Sequence, residues 1–107
     1  MPWTVRLKES VIDDLRWFGR KDGRLLLQTI EEQLAIDPLR ESKNMKTLRP
    51  NPVAQRELRL FGKYRALFNV DPEAEEVTVI LVGEKRGNAL LVQGEEFTSH
   101  HESDSAE

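Results

Sequence analysis

No cysteine occurs in the 107 residues, so neither a disulfide framework nor a thiolate metal cluster can organise this chain. Aromatic residues are scarce, with a single tyrosine and two tryptophans. Long apolar runs are missing too. The longest covers residues 77–82 and is interrupted by Thr78, far below the roughly 20 residues that a membrane-spanning helix requires. The first residues, Met1-Pro2-Trp3-Thr4, lack the basic and then apolar order of a secretory signal. These absences lead us to expect a cytoplasmic protein with no membrane association.

What is present fits one compact domain. Hydrophobic residues make up 38% of the chain and charged residues 33%, enough for a core beneath a heavily charged surface. The formal net charge of −3 conceals an uneven distribution. Five acids lie in residues 95–107; the remaining 16 bases face 14 acids, so residues 1–94 carry +2. Within them, Lys43, Lys46, Arg49, Arg56, Arg59, Lys63 and Arg65 are accompanied by one acid, Glu57. We expect a folded domain over residues 1–94 and a polar, acidic, mobile tail over 95–107.

Alternation of Trp3, Val5 and Leu7 with Thr4 and Arg6 predicts a first strand over residues 3–7. Ser10 and Asp13 resemble a capping box, and Val11, Leu15 and Phe18 then recur at helical spacing, predicting a helix over about 11–18. Gly19 and the Lys21-Asp22-Gly23 cluster are expected to break it. Leu26, Ile30 and Leu34 mark one face of a second helix that ends before Pro38. Residues 38–55, with three prolines, should form a long connection containing a short extended piece near 45–48.

Next come two alternating runs, 57–60 and 64–70, joined at Gly62-Lys63 as a hairpin. The β-branched run 77–82 reads as a central strand with both faces covered, and 89–92 as one more short apolar element. The predicted order is β-α-α-β-β-β, an α+β fold in which a two-helix hairpin packs on a small, largely antiparallel sheet. The opposite face of the sheet should stay partly open, concave and basic. Trp3, Trp17 and Phe18 are expected to pack, although Trp17 lies one position off the apolar stripe and is the one that can face a partner. His100, His101 and Glu102 lack the spacing of a metal site and read as a solvated tail, so neither metal nor other cofactor is expected.

The segment RELRLFGKYRALFNVD (56–71), followed by VTVILVGEKRGN (77–88), resembles the RelE/ParE superfamily of toxins from type II toxin–antitoxin systems. The resemblance rests on Glu57-Leu58-Arg59, Tyr64-Arg65, Leu67-Phe68 and the GEKRG loop, and covers the layout of residues 3–92. It implies a metal-independent messenger endoribonuclease, inhibiting translation at the ribosome by 2′-hydroxyl attack and silenced by a cognate antitoxin. A gyrase poison of the ParE kind, or a non-catalytic binding module, is the alternative.

On that resemblance Arg65 and either Lys85 or Arg86 would stabilise the phosphate, and Glu57 would act as a base or pair with a neighbouring arginine. Lys46, Arg56, Arg59, Lys63 and Tyr64 would contact RNA. The partners implied are the antitoxin with the ribosome and messenger RNA, or DNA gyrase. The sequence departs from the ribonuclease pattern at two places. Arg56 and Glu57 stand where a lysine pair is usual, and Leu91 and Val92 stand where a late tyrosine is usual.

Overall fold

A computed structural model describes residues 2–97. The element order is β1 (Thr4–Leu7), α1 (Glu9–Trp17), α2 (Arg20–Ile36), β2 (Met45–Thr47), β3 (Arg56–Leu60), β4 (Tyr64–Asp71), β5 (Glu76–Arg86), β6 (Ala89–Val92) and β7 (Glu95–Glu96). The α+β architecture is the expected one. One sheet runs in the order β2-β3-β4-β5-β6-β7, antiparallel throughout, and β1 joins β5 in parallel. The sheet continues through Glu95 and Glu96, two residues past the expected domain boundary at 94, and Phe97 donates its N–H to Leu90 O at 2.7 Å. His100, His101, Glu102 and the rest of the acidic segment beyond Phe97 lie outside the described residues.

Two local expectations are corrected. The first helix starts at Glu9 behind Lys8, with no side-chain cap; Asp13 approaches Arg16 at 3.9 Å instead of closing a capping box. The Lys21-Asp22-Gly23 cluster does not separate the helices but lies in the first turns of α2. The break is made by Gly19 alone, whose φ of 91° turns the chain. Gly23 serves the packing of α2 on α1, since a Cβ there would sit 2.5 Å from the Leu15 carbonyl oxygen. Gly23→Ala is therefore expected to lower stability. The overlap is with backbone and costs about 1–3 kcal/mol, offset by less than about 1 kcal/mol of helix preference. A net loss of about 1–2 kcal/mol should appear as a lower urea midpoint at unchanged slope.

Strand alternation places two apolar clusters on the two faces of the sheet. Leu58 and Leu60 of β3, Tyr64, Ala66 and Phe68 of β4, and Val77, Val79 and Val82 of β5 pack with Val11, Leu15, Leu26, Ile30 and Leu34 of the helices. The far face is less open than expected. There Ala54, Leu67 and Leu81 form a second buried cluster, joined by Leu48 and Val53 of the connection and by Leu90, Val92 and Phe97. That connection is ordered by Asn51, whose Oδ1 accepts from the N–H groups of Val53 and Ala54 at 2.9 and 3.0 Å.

A β-bulge governs β5. Leu67 pairs with Leu81 but Phe68 pairs with Val79, so Ile80 is the extra residue. Val77 and Val79 before it and Val82 after it all face the helices, because the inserted residue reverses the strand's parity. The opposite edge of β5 is shared. β1 covers Glu76 to Val79 and β6 covers Glu84 to Arg86, leaving a gap between them. Asp14 of α1, only 3% exposed, fills that gap: its Oδ2 accepts the Val82 N–H at 3.0 Å and its Oδ1 accepts Gln93 Nε2 at 2.8 Å.

Candidate nucleic-acid interface

The β3–β4 hairpin determines where most of the basic block goes. Leu58 and Leu60 belong to the core, so Glu57 and Arg59 must project from the far face. Across the hairpin Arg59 lies directly opposite Arg65, and on β2 Lys46 lies opposite Glu57. Two arginines facing each other across a ladder repel. Glu57 offsets this by receiving Arg59 Nε at 3.0 Å and approaching Arg65 Nε at 3.7 Å through one oxygen. Arg65 is well anchored, with a side chain only 12% exposed and Nη1 donating to the carbonyls of Gly62 and Tyr64 at 3.1 and 3.0 Å.

The same face continues onto β5. Arg65 pairs with Gly83, so the pleat sends Lys85, two residues on, to Arg65's side of the sheet. Glu84 and Arg86 go to the other side. Lys46, Arg59 and Arg65 thus flank Glu57, and Lys85 extends the same face beyond Arg65 toward the end of β5. Such a surface is chemically suited to a phosphodiester backbone: arginine offers a planar fork of donors, lysine a mobile point charge, and a fixed carboxylate holds the fork in orientation.

Four other candidate residues are placed elsewhere. Arg56 shares the pleat of Leu58 and Leu60, so it is drawn inward and is 6% exposed. Its Nη1 donates to Glu41 Oε2 at 2.6 Å and to Thr47 Oγ1 at 2.7 Å, its Nη2 donates to Arg40 O, and its Nε has no partner among the described residues. It is a buried tie between the loop after α2 and β3, with its guanidinium turned away from the cation face. Tyr64 also faces the helices, edge-on to Phe18 with ring centroids 5.0 Å apart. Lys63 lies over the Tyr64 ring at 5.1 Å from the turn. Arg86 is on the helix side with Glu84, its Nε 3.3 Å from Glu84 Oε2. No group of three or more potential metal ligands occurs among the described residues.

Glu41 has an altered acidity. The hydrogen bond from Arg56, then that from Thr47, holds its carboxyl below the usual carboxylate value. A depressed folded-state value means that the pair stabilises the fold above the unfolded-state pKa and ceases to as the pH falls through the folded one. Glu41→Gln should therefore melt below wild type at neutral pH. The two melting curves should converge as the pH falls through the depressed value at which the wild-type carboxylate takes its proton.

No protein-family model matches the sequence, and no curated protein matches it either. Solved structures do. A chain of the toxin–antitoxin complex RelBE2 from Mycobacterium tuberculosis superposes with a TM-score of 0.68 at 25% identity, over 79% of this chain and 93% of that one. A double arginine-to-alanine variant of Escherichia coli RelE in the free state gives 0.60 at 26% identity, over 82% and 88%. The RelE–RelB complex of Pyrococcus horikoshii gives 0.63 at 21% identity, over 83% and 100%. The fold is therefore that of RelE-like toxins.

Proposed function

We propose, starting from this RelE-like toxin fold, that the chain is the toxin of a toxin–antitoxin pair and acts as a metal-independent messenger endoribonuclease. The observation that carries this reading is the anchored Arg65 on one face of the sheet, with Lys46 and Arg59 beside the same Glu57 and Lys85 further along that face. In the reaction the ribose 2′-oxygen attacks the adjacent phosphorus, the bond from phosphorus to the 5′-oxygen breaks, and a 2′,3′-cyclic phosphate forms. The 2′-hydroxyl gives its proton to solvent water, and the departing 5′-oxygen takes one from the Lys85 ammonium, which is reprotonated from solvent. Arg65, fixed by two carbonyls and Glu57, suits the charge that builds on the phosphorane oxygens. Lys85 adds a second charge and a proton that an ammonium can release and a guanidinium cannot. Lys46 and Arg59 are assigned to the flanking backbone, and Glu57 to positioning the two arginines.

Binding to single-stranded RNA should weaken with salt. With four phosphate contacts the logarithm of affinity is expected to fall against the logarithm of salt with a slope of about −3. Lys85→Ala should reduce that slope by roughly 0.7, as read by fluorescence anisotropy.

The deciding experiment is induced expression in bacteria with mapping of messenger 5′ ends, alone and together with the neighbouring short reading frame. Growth arrest with codon-phased cuts, relieved by the neighbouring product acting as antitoxin, is the expected result. Arrest without cuts would move the target to gyrase, and no arrest from soluble protein would leave a binding module without catalysis.

A further inference from the structure

On the helix side of the β5–β6 hairpin, away from the cation face, Trp17, Phe18, Glu84, Arg86, Leu91 and Gly94 line a cavity of about 160 Å3. Its wall contains a large aromatic left in water, since Trp17 is 58% exposed although it ends a helix packed on β5. The ring is held there by the turn after β6. Gly94 has a φ of 81°, and a Cβ on it would lie 2.7 Å from Trp17 Cζ2, so only glycine lets the backbone lie against the indole. Glu84 and Arg86 stand two residues apart on the same side of β5, with Arg86 Nε 3.3 Å from Glu84 Oε2. The cavity thus offers a supported aromatic face, a carboxylate that accepts and a guanidinium that donates.

We propose that this cavity binds one base of a single-stranded RNA, with Trp17 stacking on the base and Glu84 and Arg86 reading its edge. The proposal rests on the RNA-cleaving reading above and adds to it a subsite on the opposite face of the sheet. Lys85 lies between Glu84 and Arg86 in the strand and projects the other way, so the cation face and the cavity occupy opposite faces of the same end of β5, and an RNA strand reaching both passes around the β5–β6 turn. Stacking gives affinity without choice of base, because every base has a π-face. The edge groups supply the choice. Guanine alone presents two adjacent donors, N1–H and N2–H2, to a carboxylate and two adjacent acceptors, O6 and N7, to a guanidinium. Guanine is accordingly the base this site selects.

The test uses the full chain carrying Trp3→Phe, so that Trp17 is its only indole. Uridine octamers with one central guanine, adenine or cytosine are titrated, with anisotropy reporting binding and indole fluorescence reporting stacking. The expected result is quenching of Trp17 that saturates with the anisotropy, and tighter binding of the guanine octamer by about tenfold. In the natural-tryptophan chain, Trp17→Ala should weaken binding by about 5- to 100-fold, Trp17→Phe should restore most of it, and Glu84→Gln should remove the preference for guanine. Binding with unchanged indole fluorescence, and with Trp17→Ala at wild-type affinity, overturns the subsite while leaving the cation face standing, and returns Trp17 to a protein contact. Equal affinity for the three octamers overturns the reading of the edge. Absence of any salt-sensitive binding overturns this inference, while the mapping of messenger 5′ ends decides the RNA-cleaving function separately.

Discussion

Arg65→Ala is expected to lower messenger cleavage in a reconstituted translation reaction by about 10²–10³-fold, the usual cost of removing one preorganised donor from a developing oxyanion. Three contacts hold the guanidinium before substrate arrives: the carbonyls of Gly62 and Tyr64 and the carboxylate of Glu57. Little reorganisation is then needed during the reaction, which is why a large effect on rate is expected. Arg65→Lys keeps the charge but loses the fork, and should recover only part of the activity.

Because the same side chain ties the hairpin turn, each variant's melting temperature must be measured beside its rate. A rate loss without a matching loss of stability supports the assignment. Wild-type rates from a folded Arg65→Ala protein would remove Arg65 from the chemistry. In the same assay Lys85→Ala should cost more in rate than Arg86→Ala, since only Lys85 shares the face of Arg65.

Asp14→Ala should destabilise the fold by about 2–3 kcal/mol, by stranding the Val82 N–H and the Gln93 amide that its two oxygens now receive. The N–H of Val82 is the more costly of the two. It belongs to a fully buried residue in the stretch of β5 that neither β1 nor β6 pairs with, and water cannot replace the carboxylate without opening the core. Gln93 sits in the turn after β6 and can move toward solvent. Asp14→Asn retains a carbonyl acceptor and should lose about half as much. Urea unfolding of the three proteins checks this, and equal midpoints for wild type and Asp14→Ala would show that the β5 gap is filled by something other than Asp14.

Much of this molecule is legible in its residues because its cores follow simple periods. Leu26, Ile30 and Leu34 repeat with the helix and became the buried face of α2; Leu58, Leu60 and Ala66 repeat with the strand and became the inner face of the hairpin. The errors occurred where one residue has two physical uses. Gly23 reads as a breaker but admits the Leu15 backbone into close contact inside a helix. Arg56 reads as one more cation in a basic block, yet its parity with Leu58 sends it inward to Glu41. That parity was visible in the sequence and is the signal that separates Arg56 from Arg59. Tyr64 is explained the same way, sharing a pleat with Ala66. The cavity at Trp17 had only a weak signal, an aromatic one position off its helical stripe.

The α+β class, the order of the principal helices and strands, and the cation-bearing hairpin were all readable from the residues, because each depends on periodicity within a dozen positions. Which basic residue of the last long strand joins Arg65 depends instead on contacts between distant parts of the chain. Unbroken alternation from Val77 and Val79, which face the helices, would carry Lys85 to the helix side and Arg86 to the cation face. The bulge at Ile80 adds one residue and reverses that assignment, bringing Lys85 to Arg65 and Arg86 to Trp17. A bulge of this kind is fixed by how β5 is paired along its edges, by β4 on one side and by β1, Asp14 and β6 on the other, and those partners lie far apart in the chain.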